Sequence, residues 1–262
     1  MCIAIVKPKG STIPTKETLK TCWEHNPDGA GFCFNNGKRV IIHKGYMTFD
    51  EFYNALKISD KLHNLKTRDV AIHFRISTSG GVKPQNTHPF AISNNMDDLI
   101  KTHSKCNGAF IHNGIISGYG DKQYSDTMYY VTDIISNIKD LEHSQKLIDR
   151  LATEKHSRFA ILTRNGFILG GDWVKDNNIF YSNTTYKPYK KVTYTKYTPA
   201  RRYEDVKKVR LCDWCEKPLT KAPNIIYDYY AHDWAGLCDD CKRENDYWVQ
   251  LEKSKQLSYF DY

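Results

Sequence analysis

Apolar residues in this chain come in short runs separated by turn residues. The opening run Cys2-Ile-Ala-Ile-Val6 is continuous and reads as a buried strand. Lys16–Asn26 and Phe49–Lys57 carry helical periodicity. Ala30–Phe34 and Val40–His43 read as strands joined across Asn36-Gly37, a strong hairpin signal. In Asp69–Arg75, Val70, Ile72 and Phe74 alternate with shorter or polar residues, which predicts another strand. Ser125–Asn137 and His143–Thr153 read as helices, the first with Ser125 as N-cap. Arg158–Thr163 and Phe167–Gly171 form a second hairpin across Asn165-Gly166. Strands, then a helical pair, then strands predict an α+β domain over residues 2–183. Two packed sheets with helices outside suit that order better than a β-α-β alternation.

Composition changes this picture after residue 183. The net charge of +8 is made of about +5 over residues 1–183, about +7 over 184–210 and about −4 over 211–262. The middle stretch is basic, tyrosine-rich and without apolar periodicity, and reads as a linker or extended arm. At 262 residues the chain has room for one large domain and a small module. No apolar stretch reaches 18 residues, so no membrane span is expected, and the N-terminus lacks the layout of a secretion signal. A cytoplasmic protein is the expectation.

Four of the eight cysteines form two C-x-x-C pairs, Cys212/Cys215 and Cys238/Cys241. Four thiolates in two knuckles are the donor set of a tetrahedral structural zinc site. Ile225–Trp234 between the pairs reads as a hairpin, and the residues after Cys241 as a helix with Tyr247, Trp248 and Leu251 on an apolar face. This order resembles a treble-clef zinc finger over residues 211–262. Beside it, Lys and Arg of 184–210 can meet phosphates, and Tyr186, Tyr189, Tyr194, Tyr197 and Tyr203 can stack on bases. Cys22, Cys33 and Cys106 read as small buried residues.

The candidate chemistry starts at Cys2. Cysteine is small enough for the initiator Met1 to be trimmed, which puts a thiol and a free α-amine on one residue, a nucleophile beside a base. In "HFRISTSGG", His73 to Gly81, a strand delivers Arg75, whose fork suits a carboxylate, and Thr78 follows in the loop. "NTHPF" spans Asn86 to Phe90 and contains His88. "GAFIHNGII" brings a strand to His112-Asn113-Gly114, where an amide and a backbone N–H can form an oxyanion hole, or the pair can make another hairpin turn. In Ser125-Asp126-Thr127, Asp126 can accept from an ammonium group or cap a helix.

These motifs, in this order and with "NPDGAGF" at Asn26–Phe32, resemble the class II glutamine amidotransferases of the N-terminal nucleophile hydrolase superfamily. The resemblance covers roughly residues 2–183 and implies an αββα four-layer sandwich. It implies that Cys2 attacks the side-chain amide of glutamine, with its own α-amine as base, giving ammonia and a γ-glutamyl thioester. It further implies that Asn113 and Gly114 hold the oxyanion. Arg75 would bind the α-carboxylate, Asp126 the α-ammonium, and Thr78 and His88 would be substrate-loop residues. Ser79 stands where several members have histidine, and Pro27-Asp28 where some carry an arginine.

About 80 residues follow the first domain, too few for a synthase fold, and no G-x-x-x-x-G-K-[ST] loop occurs. The expected function is therefore a glutaminase subunit whose ammonia goes to a partner enzyme. The alternatives are a stand-alone γ-glutamyl amidohydrolase and a non-catalytic nucleic-acid-binding module acting through residues 184–210. Stand-alone members of this kind occur in bacteria and bacteriophages, which implies a bacterial cytoplasm, that of the host for a phage-encoded chain.

Overall fold

The computed structural model of the chain describes residues 2–188, 211–228 and 233–247. The chain is mixed α and β and divides into two compact units, Met1–Lys191 and Val192–Tyr262. In the first unit a seven-stranded sheet runs Val174–Asp176 (β10), Ile179–Tyr181 (β11), Ile3–Lys7 (β1), Val70–Phe74 (β4), Ala30–Asn35 (β2), Val40–Tyr46 (β3) and His103–Cys106 (β6). A four-stranded sheet runs Phe90–Ala91 (β5), Gly108–Asn113 (β7), Arg158–Thr163 (β8) and Phe167–Gly170 (β9). Every strand pair is antiparallel. The helices are Lys16–His25 (α1), Phe49–His63 (α2), Met96–Leu99 (α3), Asp126–Asp133 (α4) and Gln145–Glu154 (α5).

The period-2 alternation of each strand sorts its side chains between two cores. Ile3 and Ile5 of β1, with Val70, Ile72 and Phe74 of β4, pack with Leu19, Cys22, Phe52 and Leu56 from α1 and α2. Phe159 and Ile161 of β8 pack with Met128, Val131, Ile148 and Ala152 from α4 and α5. The intervening residues join a third cluster with members from both sheets: Ala4, Val6 and Ala71 from the larger, Ala109, Ala160 and Leu162 from the smaller. The buried phenylalanines face the helices, each contributing about 1.5–3 kcal/mol by burial.

The predicted elements are present with shifted ends. α2 runs past Lys57 to His63, because a Thr48–Glu51 capping box starts it and left-handed Asn64 ends it. The helix expected over Ser125–Asn137 stops at Asp133 and continues as a 3-10 turn, Ile135–Asn137. His112-Asn113-Gly114 is not a hairpin turn, since β7 ends at Asn113 and α4 follows.

The first compact unit includes residues past 183. Tyr186 is 7% exposed and stacks on Tyr181 with centroids 3.7 Å apart. Its phenol donates to Asp176 Oδ2 at 2.8 Å. Tyr186 is therefore core and is not presented to a base. The rest of the basic arm, including Tyr189, Tyr194, Tyr197 and Tyr203, lies outside the described residues, as do Trp248 and Leu251.

In the second unit Asn224–Asp228 (β12) and Asp233–Leu237 (β13) form a hairpin, and residues 239–247 are helical. No helix among the described residues is long and apolar enough to cross a membrane.

Candidate functional site

Cys2 sits at the head of β1, where Ile3 pairs with Phe74. The next residues of the partner strand line the thiol: Ile76 N–H points at Cys2 Sγ at 3.3 Å. Burial pushes the Cys2 thiol up, against the downward pull of that N–H and of the Arg75 charge. The thiol accordingly rests protonated and needs a base to become a nucleophile.

Arg75 is 3% exposed. Its Nη1 donates to Gly81 O at 2.7 Å and its Nη2 to Ser79 O at 2.6 Å, which folds the 76–81 loop around the guanidinium. Burial lowers the Arg75 pKa, and Cys2, Asp28 and Asp126 oppose that shift. Among the described residues, two of its five N–H donors are used in the loop. The Asp28-Gly29 turn closes the other side. Asp28 Oδ2 accepts from Ser77 N–H at 2.8 Å, and Gly29 O accepts from Arg75 N–H at 2.9 Å.

Asp126 opens α4 and is 6% exposed. Its Oδ2 accepts from Ile116 N–H at 2.7 Å and its Oδ1 from Thr127 N–H at 2.8 Å. Ser79 Oγ accepts from Asp126 N–H at 3.1 Å, tying α4 to the Arg75 loop. Thr78 is exposed on that loop.

Asn113 ends β7 and is 2% exposed. Its Nδ2 donates to Ser182 Oγ at 2.8 Å, and Ser182 Oγ also accepts from Ala4 N–H at 2.8 Å. One hydroxyl thus joins Asn113 to the strand that carries Cys2. Asn113 Oδ1 is buried with no partner among the described residues. Gly114 has φ 153°, and a Cβ there would overlap Ser157 Oγ and lie 2.8 Å from His112 Nε2, so glycine is required.

His88 is 4% exposed, with its ring 4.2 Å from that of His73 and 4.6 Å from that of Phe90. Neither ring nitrogen of His73 or His88 has a partner among the described residues. Burial lowers His73 to about 3 and His112 to about 4, and holds His88 well below its ordinary value. His88 thus belongs to a buried histidine cluster.

The sequence motifs do not contain Ser182 and Asn183. Asn183 Nδ2 donates to Cys2 O at 2.7 Å. Both residues follow a three-residue strand and act on groups far away along the chain, so no local pattern marks them.

In the second unit the sulfurs of Cys212, Cys215, Cys238 and Cys241 all lie within 4.8 Å of one another, close enough to bind one metal ion. Cys215 and Cys238 Sγ are 3.8 Å apart. A tetrahedron with metal–sulfur bonds of about 2.3 Å has edges of about 3.8 Å. Cys238 N–H donates to Cys212 Sγ at 3.3 Å, and backbone N–H groups led by that one pull the Cys212 thiol down to about 6. Left-handed Glu216 turns the first knuckle, its N–H donating to Cys212 O at 2.8 Å.

Compared with known proteins, the chain matches no family model and no curated protein.

Proposed function

We propose that the first unit is a class II glutamine amidotransferase domain acting as a glutaminase, with Cys2 as nucleophile once Met1 is removed. The observation that carries this reading is that the loop after Arg75 ties the candidate residues together: Ile76 N–H meets Cys2 Sγ, Ser77 N–H meets Asp28 Oδ2, and Ser79, whose carbonyl holds Arg75, meets Asp126 N–H with its hydroxyl. Two sheets sharing an alanine-rich core, each backed by helices, support the αββα four-layer order of the N-terminal nucleophile hydrolases.

In this mechanism the α-amine of Cys2, with an ordinary pKa of about 7.7–8.0, takes the thiol proton. The thiolate attacks the glutamine amide carbon. Asn113 and Gly114 N–H receive the oxyanion, each such donor lowering the barrier by roughly 3 kcal/mol. The amine returns the proton to the leaving nitrogen, ammonia departs, and water cleaves the γ-glutamyl thioester. Arg75 holds the α-carboxylate with its remaining donors, and the Asp126 charge attracts the α-ammonium. The ammonia goes to an acceptor on a partner enzyme.

Because two Arg75 donors go to its own loop, a second reading is an amidohydrolase for another γ-glutamyl or acyl amide. The four cysteines of the second unit suit zinc in a structural, treble-clef-like site: all four donors are thiols and the sulfur spacing fits. Zinc there fixes the module and takes no part in amide chemistry.

The test is glutamate release from glutamine by the trimmed protein, abolished by Cys2→Ala. A trimmed, folded protein that releases none, with nucleic acid or cell extract also supplied, overturns the reading. Cleavage of other γ-glutamyl amides but not glutamine selects the second.

A further inference from the structure

Ser182 stands at the junction of the two sheets. Its Oγ accepts from Ala4 N–H at 2.8 Å, two residues from Cys2, and its N–H donates to Ala4 O at 2.9 Å. The same Oγ meets the Asn113 amide at 2.8 Å. Both side chains are 2% exposed, so water does not compete for these bonds.

The two ends of an amide have nearly the same shape but opposite hydrogen-bonding sense. With Nδ2 toward Ser182, the serine accepts twice, its own proton has no acceptor among the described residues, and Asn113 Oδ1 is a buried acceptor without a donor. Two groups are then unsatisfied at once. Turned by half a revolution, the amide accepts the Ser182 proton on Oδ1, while Ser182 still accepts from Ala4. The hydroxyl is then satisfied, and the only open group is an NH2 where the orphaned oxygen stood. A buried NH2 facing away from Ser182 is the donor that a developing oxyanion requires, whereas a carbonyl oxygen there would repel it.

We propose that Ser182 is a positioning residue that sets the orientation of the Asn113 amide, holding Oδ1 through its hydroxyl so that Nδ2 is presented to the reacting carbonyl. The inference rests on the glutaminase reading for its kinetic consequence but not for the orientation itself. Removing the hydroxyl leaves the amide free to turn its oxygen into the hole. Substrate grip by Arg75 and Asp126 is untouched, so the loss falls on kcat.

The experiment compares Ser182→Ala, Ser182→Thr, Asn113→Ala and the Asn113→Ala/Ser182→Ala double variant. Ser182→Ala is expected to lower kcat by about 10- to 100-fold, the scale of losing one oxyanion donor in part, with KM changed less than about twofold. Ser182→Thr, which keeps the hydroxyl, restores most of it. In the Asn113→Ala background the Ser182 change costs nothing further in kcat, because the group it positions is gone. An equal loss in both backgrounds overturns the proposal, since it marks a merely structural role. The orientation is read independently of turnover from the side-chain NH2 of Asn113 in isotope-edited NMR of the Cys2→Ala protein. A weak contact to the Ser182 β protons is expected, growing in Ser182→Ala, and a strong contact in the parent overturns the proposal. If the trimmed wild type turns over no glutamine, the functional reading fails while the NMR result still decides the orientation.

Discussion

Asn183 Nδ2 donates to the carbonyl oxygen of Cys2 at 2.7 Å, joining groups 181 residues apart in the chain. The other end of that amide is locked, since Oδ1 accepts from Thr185 N–H at 3.0 Å and from Thr185 Oγ1 at 2.7 Å. The amide can therefore face Cys2 only with its donor. A residue at the head of a strand would otherwise fray, and its thiol and amine with it. Asn183→Leu, similar in size with neither polar end, is expected to cost about 1–3 kcal/mol. The same change should lower kcat for glutamine, with its effect on KM smaller. Chemical denaturation and steady-state kinetics on the trimmed protein check both.

Gly114→Ala is expected to be among the most damaging single-methyl additions in the chain. The φ of 153° disfavours any side chain, and the new Cβ would meet Ser157 Oγ, which itself holds His112 Nε2 at 3.0 Å. The change thus displaces the end of β7 and the Asn113 amide together. A loss of about 2–4 kcal/mol follows from strain and a broken buried hydrogen bond combined. Denaturant midpoints measure the loss, and turnover of the folded fraction should fall at least tenfold.

The buried histidines predict an acid-side loss of stability. His73 at about 3, His112 at about 4 and His88 well below its usual range all stay neutral in the folded chain, chiefly through burial. The unfolded chain protonates them near pH 6.5. Below that pH the unfolded state binds more protons, so stability is fully present above about 6.5 and declines as pH falls toward the folded values. Each group contributes a slope of up to about 1.4 kcal/mol per pH unit in that window. His73→Phe, which keeps a buried ring and removes the titrating group, should reduce the slope of unfolding free energy between pH 6 and 5 by about one proton. An unchanged slope would show that His73 is protonated in the folded state.

The regular elements were legible because they repeat their signal. The alternation of Val70, Ile72 and Phe74 marks β4, and Arg158–Thr163 coincides with β8, since strands with two buried faces are apolar throughout. β5, α3, β6, β10 and β11 carry no such signal, as each has four residues or fewer and β6 is partly exposed. Of the candidate site, Cys2, Arg75 and Asp126 were legible as motif residues, and the loop after Arg75 bonds to Cys2 through Ile76 and to Asp126 through Ser79. Ser182 and Asn183 were not. A serine and an asparagine after a short strand look like any strand-to-loop junction; the pairing of β1 with β11 brings them to Ala4 and Cys2, and β7 of the other sheet brings Asn113. His88, which the resemblance places among substrate-loop residues, packs beside His73 and Phe90.

The second unit should depend on metal for its folding while the first does not. Among the described residues its buried apolar cluster is small: Cys212, Ala235, Leu237 and Cys241, with Leu219, Ile226 and Cys238 packed against it. A core of that size is short of what an unassisted domain needs. Structural zinc in small peptides supplies about 10–16 kcal/mol of apparent binding free energy at neutral pH. The purified protein is expected to carry one zinc per chain, and Cys241→Ser to carry none. A strong chelator should release the metal and expose all four sulfurs to a thiol reagent. It should also remove amide protection from β12 and β13, while protection in β1, β4 and β8 persists. Glutamine turnover, if it resides in the first unit alone, should change less than about twofold on chelation. Protein grown with zinc available that binds none, and whose β12–β13 amides ignore the chelator, would show the four cysteines to be a reduced thiol cluster rather than a metal centre.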